Sequence, residues 1–103
     1  MFGMNVRFTA QPGEGDSLAA ILVEAAAGAE DDHSCLLYVV SREDGDPDTV
    51  WVFEAWTDRD AHDESLQDED TRALIGRAMP LLDGSPEATE LEPAGGKGLE
   101  AGL

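Results

Sequence analysis

Two short apolar stretches joined by a run of turn residues constrain the fold of this chain more than any other feature. Cys35-Leu36-Leu37-Tyr38-Val39-Val40 is almost continuously apolar, and Val50-Trp51-Val52-Phe53-Glu54-Ala55-Trp56 is interrupted by a single carboxylate. Runs of this length, rich in β-branched and aromatic side chains, read as strands. Asp44-Gly45-Asp46-Pro47-Asp48 between them is a turn by composition, so the two runs pair as a hairpin. An isolated hairpin is barely stable in water, so the rest of the chain must supply further strands and helices to cover it.

The flanking segments do so. Met4, Val6 and Phe8 alternate with polar neighbours at the period of a strand, and Pro12-Gly13 ends that strand. Asp16 or Ser17 is placed to cap the helix that follows, whose Leu18, Ile21, Leu22, Ala25 and Ala29 fall on one face and which ends near Gly28. Beyond the hairpin, Asp58 starts a short helix and Asp68 caps the next, along which Leu74, Ile75, Ala78 and Leu82 form a stripe that Pro80 bends near its end. Gly84 closes that segment, and Ala88 to Leu91 makes a short last strand. The order strand, helix, strand, strand, helices, strand is the split βαβ pattern of an α+β ferredoxin-like sandwich, an antiparallel four-stranded sheet with helices on one face.

A chain of 103 residues fills one core, so residues 1–93 form one domain and the Gly-rich residues 94–103 a flexible tail. Helices on one face leave the opposite face of the sheet open, and a second copy of the same sheet is the expected cover. The chain is therefore expected to work as a homodimer.

Charge narrows the partners. The 23 acidic residues outnumber 6 basic ones, a formal charge of -17 spread along the chain, which repels phosphate backbones and anionic lipid. Nucleic acid and membrane are not expected partners, and the dispersed acid reads as a solvated surface. Cys35 is the only cysteine, which rules out an internal disulfide and a thiolate-rich metal site, and in an apolar strand it is expected to be an inert thiol. The first residues show no secretion signal, and a cytoplasmic location is expected. Asp44 to Asp48 lacks the pattern of a calcium loop, and Gly13 and Gly15 do not form a phosphate loop, so neither a metal nor a nucleotide cofactor is expected.

With the element order in hand, four segments, in order, resemble the antibiotic biosynthesis monooxygenase family. They are the strand leading into Gln11-Pro12-Gly13, the Cys35-Leu36-Leu37-Tyr38 strand, Glu54-Ala55-Trp56 followed by Thr57-Asp58-Arg59-Asp60-Ala61, and the ending from Leu81-Leu82 to Leu91-Glu92-Pro93. The resemblance covers about residues 1–93. It implies a dimeric α+β barrel with a ligand cavity between each sheet and its helices. It also implies cofactor-independent oxidation of a polycyclic phenol, anthrone or quinol, with heme degradation as an outsider. The family commonly carries a histidine nine residues after the tryptophan; Ser65 stands there, and His62 lies one helical turn earlier.

On this reading Trp56, at the end of its strand, walls a pocket and offers its N–H to a ligand oxygen, while Glu54 or His62 removes a proton. Glu54 shares the strand face of Trp56, with Arg7 as a conceivable ion partner, and His62 stands among acidic neighbours that make it equally a candidate surface histidine. Asn5 and Tyr38 are candidates to hold the oxygens of a small aromatic or quinone-like substrate, with Arg7 and Ser65 beside them. A heme would need an axial ligand, and His33 lies in a loop. The competing reading is a dimeric ligand-binding or accessory domain that keeps the barrel without the chemistry, and Ser65 favours it.

Overall fold

The computed structural model describes residues 1–99. The elements are β1 (Phe2–Thr9), α1 (Gly15–Gly28), β2 (Cys35–Glu43), β3 (Asp46–Trp56), α2 (Arg59–Ser65), α3 (Glu69–Ala78), a 3-10 turn (Met79–Leu81) and β4 (Glu87–Leu91). The strands form one antiparallel sheet in the order β2-β3-β1-β4. The β1–α1–β2 connection skips one place in the sheet and β3 fills it, which is the ferredoxin-like α+β arrangement expected from the element order.

Register sorts the side chains into two faces. Val6 lies opposite Val52 and Ala88, Tyr38 opposite Glu54, and Val40 opposite Val52, so these residues share the face that the helices cover. There Leu18 and Leu22 of α1 pack with Ala10, Val50 and Val52, and Phe8, Tyr38, Val40 and Ala78 close around them. Leu18, Val50 and Val52 are fully buried, each contributing about 1.5–3 kcal/mol. Asn5, Arg7, Val39, Trp51 and Phe53 point the other way, and Val39 (44% exposed) and Leu91 (42%) are open to solvent on or beside that bare face.

Two of the three helix starts follow the local sequence. The Asp58 carboxylate accepts from the Ala61 amide at 2.8 Å and the Asp68 carboxylate from the Thr71 amide at 3.2 Å. The start of α1 differs from the expected Asp16 or Ser17 cap: its N-cap is Glu14, which makes no side-chain capping bond. Instead Asp48 of β3 accepts from the Gly13 amide at 3.1 Å and the Gly15 amide at 3.0 Å, while Asp16 faces Arg42 at 2.8 Å. The cause is proximity: a Cβ on Gly15 would lie 1.9 Å from the Pro47 carbonyl oxygen, so the helix start rests directly on β3.

The hairpin turn is narrower than its composition suggests. It consists of Asp44-Gly45, with Gly45 at φ 81°, and β3 already begins at Asp46. Because Glu43 pairs with Asp46 and Arg42 with Val50, residues Pro47, Asp48 and Thr49 have no partner on β2. Pro47 therefore removes no bond from that ladder, and the bulged segment is free to aim Asp48 at α1.

No residue of α3 is buried. The helix leans on α1, with Arg77 reaching Glu24 at 3.0 Å, and stands off the Glu54–Trp56 end of the sheet. Its Leu74, Ile75 and Ala78 stripe faces the resulting cavity. After β4, Pro93 lies over Gly3 and Leu99 is buried; the expected tail continues into residues 100–103, outside the described residues. Among the described residues no helix is long and apolar enough to cross a membrane.

Candidate active site

The alternation of β3 turns Glu54 and Trp56 toward the helices, and the cap at Asp58 starts α2 immediately after the strand, which brings His62 back over both. All three are buried: Trp56 is 3%, His62 7% and Glu54 8% exposed. The indole N–H of Trp56 donates to Glu54 Oε1 at 2.9 Å, and His62 Nε2 lies 3.3 Å from the same oxygen. His62 Nδ1 lies 3.1 Å from Asp63 Oδ1. The imidazole is thus held between two carboxyl groups, an arrangement that can pass a proton from a buried acid toward the surface. Phe2 packs against the imidazole at 5.1 Å between ring centroids, Trp56 meets it edge-on at 5.8 Å, and Arg59 stacks over Phe2 while pairing with Glu90.

Burial pushes the Glu54 carboxyl above its ordinary value, partly opposed by the Trp56 hydrogen bond and by His62. Its other oxygen, Oε2, has no hydrogen-bond partner among the described residues. Tyr38, directly across the ladder from Glu54, has its hydroxyl pushed up by burial and by the carboxylate, so it remains a neutral donor, and it makes no hydrogen bond among the described residues. Burial likewise lifts the Cys35 thiol to about 11, which keeps it protonated and inert.

Glu54, Trp56, His62 and Tyr38 open onto a cavity of about 870 Å³ between the sheet and the helices. Met4, Val6 and Phe8 of β1 form its floor, Ile21, Leu22 and Ala25 of α1 one wall, and Leu74, Ile75 and Ala78 of α3 the other. A cavity this size, mostly apolar with a few convergent polar groups, suits a multi-ring organic ligand. Among the described residues no cluster of histidine, cysteine or carboxylate side chains is placed to hold a metal ion.

The sequence model of the antibiotic biosynthesis monooxygenases matches residues 1–77. The chain belongs to that family. Among solved structures, a candidate antibiotic biosynthesis monooxygenase from Chloroflexus aurantiacus J-10-fl is 37% identical, with a TM-score of 0.85 over 95% of this chain and 97% of the other. A candidate from Deinococcus radiodurans (22% identity, TM-score 0.80, 93% and 95% covered) and a Pseudomonas aeruginosa protein (20%, 0.82, 91% and 94%) share the fold. No curated protein matches in sequence.

Within this antibiotic biosynthesis monooxygenase family member, the structure gathers Glu54, Trp56 and His62 into one network and places Tyr38 and Ser65 on the cavity wall. Asn5 and Arg7 fall on the bare face: they pair with Phe53 and Trp51, and Arg7 lies 3.6 Å from Glu87 rather than near Glu54. Strand period is the reason, since the cavity takes the even positions of β1. Two further details differ from the sequence reading. The Trp56 N–H is engaged by Glu54 rather than open to a ligand, and the Ser65 hydroxyl donates to the His62 carbonyl at 2.5 Å, within its own helix. His62 is a buried histidine, not a surface one. Phe2 and Asp63, which fix the imidazole, went unmarked as site residues; the spacing of Phe2 two positions before Met4 on the floor strand was the available signal for the first.

Proposed function

We propose that the protein is a cofactor-independent monooxygenase that oxidises a polycyclic phenol, anthrone or quinol with dioxygen inside this cavity, as a homodimer. The observation that carries the reading is Glu54: a buried carboxyl with a raised pKa, one oxygen fixed by Trp56 and His62, the other turned to an apolar cavity of about 870 Å³. A base of that kind is well matched to a weakly acidic C–H or O–H at neutral pH.

In an anthrone, Glu54 Oε2 takes a proton from the central methylene, and the Tyr38 hydroxyl stabilises the resulting enolate oxygen. The electron-rich anion passes one electron to dioxygen, and the substrate radical and superoxide combine at that carbon. The proton returns to the peroxide, whose O–O bond breaks as the remaining hydrogen leaves the carbon. The products are a quinone carbonyl and one water, so the substrate loses two hydrogens and gains one oxygen. Trp56 and His62 act as positioning residues through Glu54, with His62 and Asp63 as the route by which the held proton equilibrates with solvent.

Oxygen uptake with a panel of anthrones and quinols tests this. Glu54→Gln is expected to lower kcat/KM by about 10²–10⁴-fold, and uptake by the native protein no greater than by Glu54→Gln across the panel would overturn the reading. The alternative, a ligand-binding domain without turnover, draws on Ser65, whose hydroxyl is occupied by its own helix where the family commonly has a histidine. It predicts saturable ligand binding with no uptake.

The homodimer is supported by the bare face, where Val39 and Leu91 are solvent-exposed and Trp51 and Phe53 are only half-buried. Apolar side chains grouped in this way on a small sheet are a natural contact for a second copy.

A further inference from the structure

The same cavity has an uneven charge lining. Asp31 and Asp32 reach it from the α1–β2 loop, Glu64 from α2, and Asp68 and Asp70 from the start of α3. No lysine or arginine lines it. The six basic residues of the chain lie elsewhere: Arg7 beside Glu87, Arg42 on Asp16, Arg59 on Glu90, Arg72 on Gln67, Arg77 on Glu24, and Lys97 after β4. None of the five rim carboxylates has a basic partner among the described residues. They are also too dispersed to grip a metal ion together, since no such cluster exists among the described residues. A low-dielectric pocket ringed by charge of one sign focuses its field inward, and here the field favours positive charge.

We propose that the cavity selects its ligand by charge, taking a multi-ring apolar compound that carries a protonated amine and discriminating against one that carries a carboxylate or phosphate. This rests on the reading of the cavity as the substrate site. The apolar floor of Met4, Val6 and Phe8 holds the rings, Glu54 Oε2 and Tyr38 meet the reacting end, and the amine projects toward the acidic rim.

The test uses three matched fluorescent probes that differ only at one ring substituent: anthracenylmethylammonium, anthracenylmethanol and anthracene carboxylate. Binding to the whole protein is followed by the anthracene emission. At low salt the ammonium is expected to bind at least about tenfold more tightly than the carboxylate, with the alcohol between them, and about 0.5 M salt should shrink that gap to about threefold. Asp31→Asn, Glu64→Gln and Asp70→Asn combined should collapse it to under about twofold. A charge-matched control, Glu14→Gln, Asp44→Asn and Asp83→Asn, removes three acids that do not line the cavity and should leave the gap intact.

Equal binding of ammonium and carboxylate by the native protein would overturn charge selection while leaving the cavity as the ligand site. So would an equal collapse in the control, which would assign the preference to the net charge of the molecule. Failure of all three probes to bind would overturn the cavity reading and the selection together.

Discussion

Glu54 is held by one oxygen and exposed to the cavity by the other, and its protonation is linked to stability. Its carboxyl is raised above the ordinary 4.5 by burial. A raised carboxyl contributes stability that is fully present below the unfolded value and is lost as pH climbs through the folded one. Glu54→Gln keeps an acceptor for the Trp56 N–H but cannot ionise. Relative to this variant, the native protein should lose denaturation midpoint as pH rises above the ordinary carboxyl value, and urea titrations of the two proteins from acid to neutral pH measure it. A constant difference would mean that Glu54 ionises no less readily in the fold than in the open chain. The network around Glu54 was only partly legible from the sequence. Two residues apart on a strand, Glu54 and Trp56 must share a face, and that much follows from period alone. That the indole N–H turns to the carboxylate, and that His62 escapes its acidic neighbours by folding inward, depends on how α2 docks on β3, which no local pattern encodes.

The helix caps divide in the same way. Asp58 and Asp68 each bond an amide three positions along, so composition and spacing found them. The α1 cap comes from Asp48, 33 positions beyond Gly15, and only the meeting of the hairpin bulge with the helix start creates it. Asp16 and Ser17 had the right chemistry in the wrong surroundings. Asp48→Ala leaves the Gly13 and Gly15 amides without their acceptor and should cost about 1–2 kcal/mol, read as a drop in urea midpoint. Asp16→Ala, which loses only an exposed ion pair, should cost under about 1 kcal/mol. If the two variants are equally stable, the cap belongs to α1 itself after all. The order and positions of the strands were legible because apolar period and turn residues agree at each boundary; the narrowing of the turn to Asp44-Gly45 was not, because Pro47 reads as a strand breaker unless the ladder beside it is already interrupted.

For the whole molecule, the bare face and the charge of -17 pull against each other: apolar area favours association, while like-charged copies repel. A dimer formed through this face should therefore tighten as salt rises from about 0.05 to about 0.5 M. Val39→Glu, which places a carboxylate on both sides of the contact, should give a monomer by light scattering at concentrations where the native chain has twice its mass. A native monomer at tens of micromolar in high salt would dispose of the dimer. The sheet order also bears on the sequence of folding. β1 sits between β3 and β4, so the strand made earliest is flanked by the two made last, with β2 at the far edge. During synthesis β2 and β3 can close locally as a hairpin, while Phe2, Val6 and Phe8 wait for long-range partners. Such topology raises contact order and slows the committing step. The emerging chain therefore carries an unpaired apolar strand for most of its length, and its solubility in that interval falls to the acidic residues that follow it, from Glu14 onward.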